Sequence, residues 1–245
     1  MLPLRRRPLQ LFVLTAALAL PVGAASSPAV DPRDPALTPS QRLDALVERV
    51  KLEQSRVETL EADFVQERSS EFLERPETSH GKLFYSRPDR VRWEYLKPNP
   101  ISLVIEGDEM LTWYRDLGTA EKVKVGRVSS QVFRYLDAAG SLEALMDYFA
   151  VTISTPEPGA AWRLVLEPRY PRIAKRLSGI TLWIDPDLYL PIRVRYTEPN
   201  GDSTEYRFDS LRANVPIPEE RFRLALPQEV AVRVLDLAGG RVTAH

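Results

Sequence analysis

Between Gly81 and Asp116 apolar and polar residues alternate, and the alternation breaks only at Arg87-Pro88-Asp89, Lys97-Pro98-Asn99-Pro100 and Gly107-Asp108. A period of two marks extended chain with one apolar face, and the three breaks carry turn chemistry. The stretch predicts four short strands joined as a β-meander. In the second, Val91, Trp93 and Tyr95 share one face, while Arg90, Arg92 and Glu94 share the other. The alternation alone leaves open whether the apolar side is an ordinary core or the wall of a cavity.

The rest of the chain supplies two helices and more strands. Leu43, Leu46, Val47 and Val50 recur at helical spacing, and Ser40 or Thr38 can cap a helix running to Leu52. Val57 to Arg68 reads as a strand with Leu60, Ala62 and Phe64 on one face, and Glu71 to His80 as a polar hairpin region around Pro76. Glu121 to Val128 alternates again after the meander. The period then changes: Val132, Phe133, Tyr135 and Leu136 suggest a helical turn. Ser141 can cap a second amphipathic helix through Phe149, with Leu142, Leu145, Met146 and Phe149 on one side.

From Trp162 onward the pattern is all strand. Trp162, Leu164 and Leu166 form one apolar row, followed by Ile180, Leu182 and Ile184, then Ile192, Val194 and Tyr196, then Tyr206 and Phe208. Turns fall at Asp185-Pro186-Asp187 and at Pro199-Asn200-Gly201-Asp202. A last short strand is expected from Phe222 to Pro227, ahead of a tail that breaks at Gly239-Gly240. About ten strands, each with one wet face, must curl to hide the other, with the two helices packing on the sheet.

Composition narrows the functions available. The chain has 245 residues and a formal charge of −1, so no basic stripe points to nucleic acid. It contains no Cys, which excludes disulfides, thiolate nucleophiles, thiolate metal sites and a lipid-modified N-terminal Cys. One of its two His is the terminal His245, so a His-based centre would have to be built around His80 alone. Arg5-Arg6-Arg7, the apolar run Leu9 to Leu20 and the small residues up to Ala25 read as a signal peptide over 1–25, cleaved near Ala24 or Ala25. Residues 26–39, rich in Pro, Ala, Ser and Asp, read as a flexible leader. The reading is a bacterial exported, soluble protein.

Catalytic equipment is missing from the pattern. No Asp/Glu pair sits in a motif, and Gly-Arg-Val-Ser-Ser and Ala-Gly-Ser are not nucleophile elbows. There is no phosphate loop or dinucleotide fingerprint. Turn chemistry explains Asp185, Asp187, Asn200 and Asp202 without a metal. No catalytic residue, metal or cofactor is expected. Trp93 and Trp113 suit the walls of a partly open site. Arg87, at a turn beside Pro88, is either a solvated turn residue or a donor that ties a loop or helix to the sheet rim.

The chain resembles the LolA family, periplasmic carriers that move lipoproteins between bacterial membranes. The resemblance rests on Phe64-Val65-Gln66, Gly81-Lys82-Leu83, Arg87-Pro88, Val91-Arg92-Trp93-Glu94-Tyr95, Pro98, Leu103-Val104-Ile105 and Leu111-Thr112-Trp113-Tyr114. It continues through Leu182-Trp183-Ile184-Asp185, Pro191, Phe208, Phe222-Arg223-Leu224 and Pro227. Gly107-Asp108 inverts the Asp-Gly usual in the family. The likeness implies a LolA-like lipoprotein-carrier domain over 40–232, with 233–245 as a C-terminal tail. It implies a mainly β fold, an unclosed and strongly curved antiparallel half-barrel lidded by amphipathic helices over an apolar cavity for acyl chains.

The lipid-binding wall is expected to comprise Phe64, Leu83, Val91, Trp93, Leu103, Ile105, Leu111, Trp113, Leu145 and Phe149, with Arg87 tethering the lid. A slip of one residue in register would turn every side chain of a strand over. The implied partners are acylated lipoproteins, an inner-membrane ABC-type lipoprotein-releasing transporter and an outer-membrane receptor, with the carrier acting as a monomer and not as an enzyme. Two other readings share the scaffold: a carrier of another lipid, such as a glycolipid, and a sensor of envelope stress.

Overall fold

The computed structural model describes residues 30–124, 142–154, 157, 159–235 and 242–244. The expected signal peptide, the apolar group Val132 to Leu136 and the capping residue Ser141 lie outside the described residues. Helix α1 (Pro39–Ser55) begins in a capping box: the Thr38 hydroxyl accepts from the Gln41 backbone and the Gln41 side chain accepts from the Thr38 backbone. Pro39 fits the first turn, where its missing N–H costs nothing. Leu46, Val47, Val50 and Gln54 are the buried residues of the helix.

The strands follow in chain order. They are β1 (Thr59–Ser69), β2 (Glu77–Ser86), β3 (Arg90–Lys97), β4 (Ile101–Glu106), β5 (Glu109–Tyr114) and β6 (Thr119–Lys124). Helix α2 (Leu142–Tyr148) leads directly into β7 (Phe149–Ser154), then β8 (Trp162–Pro168), the short helix α3 (Pro171–Ala174), β9 (Gly179–Ile184), β10 (Pro191–Thr197) and β11 (Ser203–Ala213). Two late strands, β12 (Ala231–Leu235) and β13 (Val242–Ala244), complete the set.

All the described strands form one sheet in the order β13-β12-β6-β5-β4-β3-β2-β1-β11-β10-β9-β8-β7. Neighbours run antiparallel except β12 and β6, which are parallel. The order is linear from β13 to β7, so the half-barrel stays unclosed. Among the described residues no helix is long and apolar enough to cross a membrane.

The inner face divides into two halves. On β7 to β10, Phe149, Trp162, Leu164, Leu166, Ile180, Leu182, Ile184 and Val194 pack against Leu46, Val47 and Val50 of α1 and Leu142 and Leu145 of α2. This half is a filled core: Leu46, Val50, Leu164 and Leu166 are fully buried. The other half, on β1 to β5, carries a smaller cluster around Leu83, Val91 and Ile105.

The outer face is not uniformly wet. A 3-10 turn at Glu219–Phe222 lies over β3 and β4, and Phe222 is buried there. Arg92, expected on a charged and hydrated face, is buried beneath it and donates to the backbone oxygens of Arg221 and Arg223 and to the Glu94 carboxylate. The chain from Phe222 to Pro227 is therefore a cover, not the strand expected. Pro216, Pro218 and Pro227 around it cannot donate to a ladder.

Farther along the outer face, Glu205 of β11 is buried between Arg193 and Arg195 of β10, at 2.8 and 2.6 Å. Burial pushes its carboxyl up, but the two guanidinium groups outweigh that and hold it below the usual range. Arg193 also lies over the Trp183 ring at 4.2 Å.

Both ends of the chain depart from expectation. Residues 30–39, the described part of the leader expected to be flexible, are tied to the body, and Pro39 already belongs to α1. Pro32 is fully buried, Arg42 of α1 donates to its oxygen at 3.2 Å, and Arg33 donates to the Pro186 oxygen and the Asp187 carboxylate. At the other end β12, which spans the expected boundary at residue 233, extends the sheet beside β6.

A candidate lipid cavity

Cross-strand partners point to the same face of a sheet, so the register fixes the wall. One row runs Leu60, Tyr85, Val91, Ile105, Met110 across β1 to β5. The next runs Ala62, Leu83, Trp93, Leu103, Thr112. A third runs Phe64, Gly81, Tyr95, Ile101, and Phe64 also pairs with Phe208 of β11. Together with β10, β11 and the end of α1, the first two rows, Thr112 excepted, enclose a cavity of about 420 Å³. That volume lies within the roughly 300–1,000 Å³ of small-molecule sites. Tyr196, Tyr206, Phe208 and Leu211 close it on the β10–β11 side, and Leu190, Pro191 and Val194 complete that wall.

Of the residues expected on the wall, Leu83, Val91, Trp93, Leu103 and Ile105 line this cavity. Phe64 lies just beneath it, its ring 4.9 Å from Trp93 and 5.1 Å from Tyr95. The ring occupies the space left by Gly81, where a Cβ would overlap it and the Glu94 oxygen.

Leu111 and Trp113 are on the other face. The two-residue turn Gly107-Asp108 pairs Glu106 with Glu109, which sets Met110 beside Ile105 and Leu111 beside Val104. Trp113 pairs with Ser102 and carries Arg115 over its ring at 4.7 Å. Leu145 and Phe149 belong to the filled core under α1: Leu145 is on α2, which packs against β7 and α1, and Phe149 begins β7 instead of ending the helix as expected. Sequence reasoning missed Met110, which a strict reading of the two-residue turn supplies. It also missed Tyr206 and Phe208, whose alternation is visible but whose place depends on the long-range pairing of β1 with β11.

The rim is built around Arg87. Its backbone N–H donates to the Glu58 oxygen at 2.8 Å, its Nε to the Val57 oxygen at 3.2 Å and its NH2 to the Gln54 oxygen at 3.1 Å. Gln54 is in the last turn of α1, so a cation caps carbonyls at the negative end of the helix. Arg87 thus ties the end of α1 to the turn after β2. Deeper in, burial and the neighbouring Tyr206 hold the Tyr95 phenol well above its ordinary range, so it stays neutral. His80 is exposed on the outer face, paired with Val65 and Lys97. Among the described residues there is no cluster of His, Asp and Glu suited to a metal. The arrangement can shelter apolar surface; its polar groups are positioned to hold the rim.

Comparison with known proteins agrees with this geometry. The family model described as "Outer membrane lipoprotein carrier protein LolA" matches residues 55–225. An outer-membrane lipoprotein carrier protein of Alkalilimnicola ehrlichii is 28% identical over 192 residues, covering 76% of this chain and 81% of that protein. One from Methylococcus capsulatus is 26% identical over 195 residues, covering 80% and 87%. In fold, the chain is similar to an uncharacterized conserved protein from Thermus thermophilus, with a TM-score of 0.52 at 12% identity, over 80% of this chain and 99% of that one. The family match takes in β1 to β11, among them the strands that supply most of the cavity wall, and this chain belongs to the LolA family of outer membrane lipoprotein carrier proteins.

Proposed function

We propose that this protein is a periplasmic carrier that takes up the acyl chains of lipoproteins in the cavity between β1–β5, β10–β11 and the end of α1, and shuttles them from the inner to the outer membrane. The observation that carries the reading is the wall itself: an open space of about 420 Å³ lined by aliphatic and aromatic side chains, with a polar rim at Arg87 and Gln54. Each methylene moved out of water into such a space gains roughly 0.8 kcal/mol. A chain of about ten methylenes therefore gains roughly 8 kcal/mol, enough to hold the cargo while an acceptor of equal apolarity can still remove it. An inner-membrane ABC-type transporter would load the carrier and an outer-membrane receptor would unload it. The carrier itself does no covalent chemistry.

The test is to purify the mature protein from the periplasm of its own bacterium and identify what comes with it by peptide and lipid mass spectrometry. Acylated peptides are the expected result. Free glycolipids in their place would reassign the cargo, and an empty protein would overturn the reading.

A further inference from the structure

Leaving aside phenols and the indole, two of the described side chains lining the cavity are polar, Gln54 and Arg87. Both sit where α1 ends against the turn after β2. The Arg87 guanidinium is directed at the backbone oxygens of Gln54 and Val57. The Gln54 side chain differs. The residue is only 7% exposed, yet neither its Oε1 nor its Nε2 has a hydrogen-bond partner among the described residues. A buried carboxamide without partners destabilises a fold, and an aliphatic residue at this apolar wall would pack at no such cost. The group makes physical sense if a ligand brings the missing partners.

We propose that Gln54 reads the carbonyl group at the head of a bound acyl chain. Its Nε2 donates to the carbonyl oxygen of an ester or amide, and its Oε1 accepts from the N–H when the linkage is an amide. The hydrocarbon then runs from the Arg87 end of the cavity towards Trp93 and Tyr206. This rests on the reading of the cavity as an acyl-chain site and adds a chemical class to it: acyl esters and amides are selected over ethers of equal length. An ether offers Nε2 only a weaker acceptor, so the buried donor stays poorly satisfied.

The test uses the mature full-length protein loaded with N-phenyl-1-naphthylamine, a neutral fluorescent probe, and measures its displacement by dipalmitoylglycerol and by the matching dihexadecyl ether. The native protein is expected to favour the ester by about three- to tenfold. Gln54→Leu should bring that ratio to one and melt no lower than the native protein. An ester-to-ether ratio of one in the native protein, or a preference that survives Gln54→Leu, overturns the proposal. If neither lipid displaces the probe from the native protein, the acyl-chain reading itself fails, and this assignment with it.

Discussion

The Arg87 guanidinium donates to the backbone oxygen of Gln54 at 3.1 Å, joining the end of α1 to a turn 33 residues further along the chain. A second bond, to Val57, holds the link between α1 and β1. Charge-assisted bonds of this kind contribute about 1.5–3 kcal/mol when buried, and the 39% exposure of the Arg87 side chain reduces that. We expect Arg87→Leu to cost about 1–2 kcal/mol in total. In a chain of this size that corresponds to a fall in Tm of about 2–8 °C. Amide exchange should rise selectively from Gln54 to Thr59, and Arg87→Lys should recover part of the loss. Unchanged melting and exchange would remove Arg87 from its tethering role.

Gly81 is required by its neighbours across the ladder. A Cβ there would overlap both the Phe64 ring and the Glu94 backbone oxygen. Gly81→Ala should destabilise by about 1–3 kcal/mol or more, as overpacking does. Phe64→Leu in the same chain should not restore stability, because the Glu94 oxygen still blocks the site. A double variant as stable as Phe64→Leu alone would show that the backbone moves aside freely. Thermal melts of the three variants decide this.

The two faces of the meander separate binding from folding. Leu103 lines the cavity, whereas Leu111 is on the opposite side of the sheet. Leu103→Asp should weaken binding of a fluorescent fatty-acyl probe at least tenfold, since about 1.4 kcal/mol already gives that factor and a carboxylate beside the chain costs more. Leu111→Asp should leave the probe affinity unchanged. Equal losses in the two variants would mean that the probe does not sit on the inner face. Val91→Glu is a less clean variant, because Val91 is 1% exposed and a buried charge there also costs stability.

Glu205 should make part of the stability acid-sensitive. Its carboxyl titrates below the ordinary glutamate value, since Arg193 and Arg195 outweigh burial. A depressed folded-state value adds stability that is fully present above the unfolded value of about 4.3 and is lost as pH falls through the folded one. Glu205→Gln should therefore melt below the native protein at neutral pH, by about 1–3 kcal/mol, a figure reduced because both Arg partners are over one-third exposed. The gap should close below about pH 4. A gap that stays constant through the acid range would show that the ion pairs are not its cause.

The meander and the first helix were legible because each is local. Turn residues sit at Arg87-Pro88-Asp89 and Gly107-Asp108, and Thr38 with Gln41 forms a capping box. The wrong face of β5 came from carrying one parity across a two-residue turn. Leu111 and Trp113 are as apolar as Met110, and only the pairing of Glu106 with Glu109 shows that the turn exchanges odd for even positions. Leu145 and Phe149 look like cavity cover by amphipathicity alone; their place in the filled core depends on how α1 covers that half of the sheet. The docking of Arg33 on Asp187 and the parallel pairing of β12 with β6 join segments far apart in the chain, and neither leaves a local signal. The orphaned carboxamide of Gln54 is equally invisible in sequence, where it reads as one more helical glutamine.

Met110 and Leu111 are adjacent in the chain and on opposite faces of the sheet, with Met110 on the cavity wall. A photoreactive benzoylphenylalanine placed at each position in turn, and irradiated in living cells, tests directly whether acyl chains enter. Adducts with acylated lipoproteins from position 110, and none from position 111, are the expected result. Adducts from 111 alone, or from both equally, would contradict the assignment of the cavity as the carrier site.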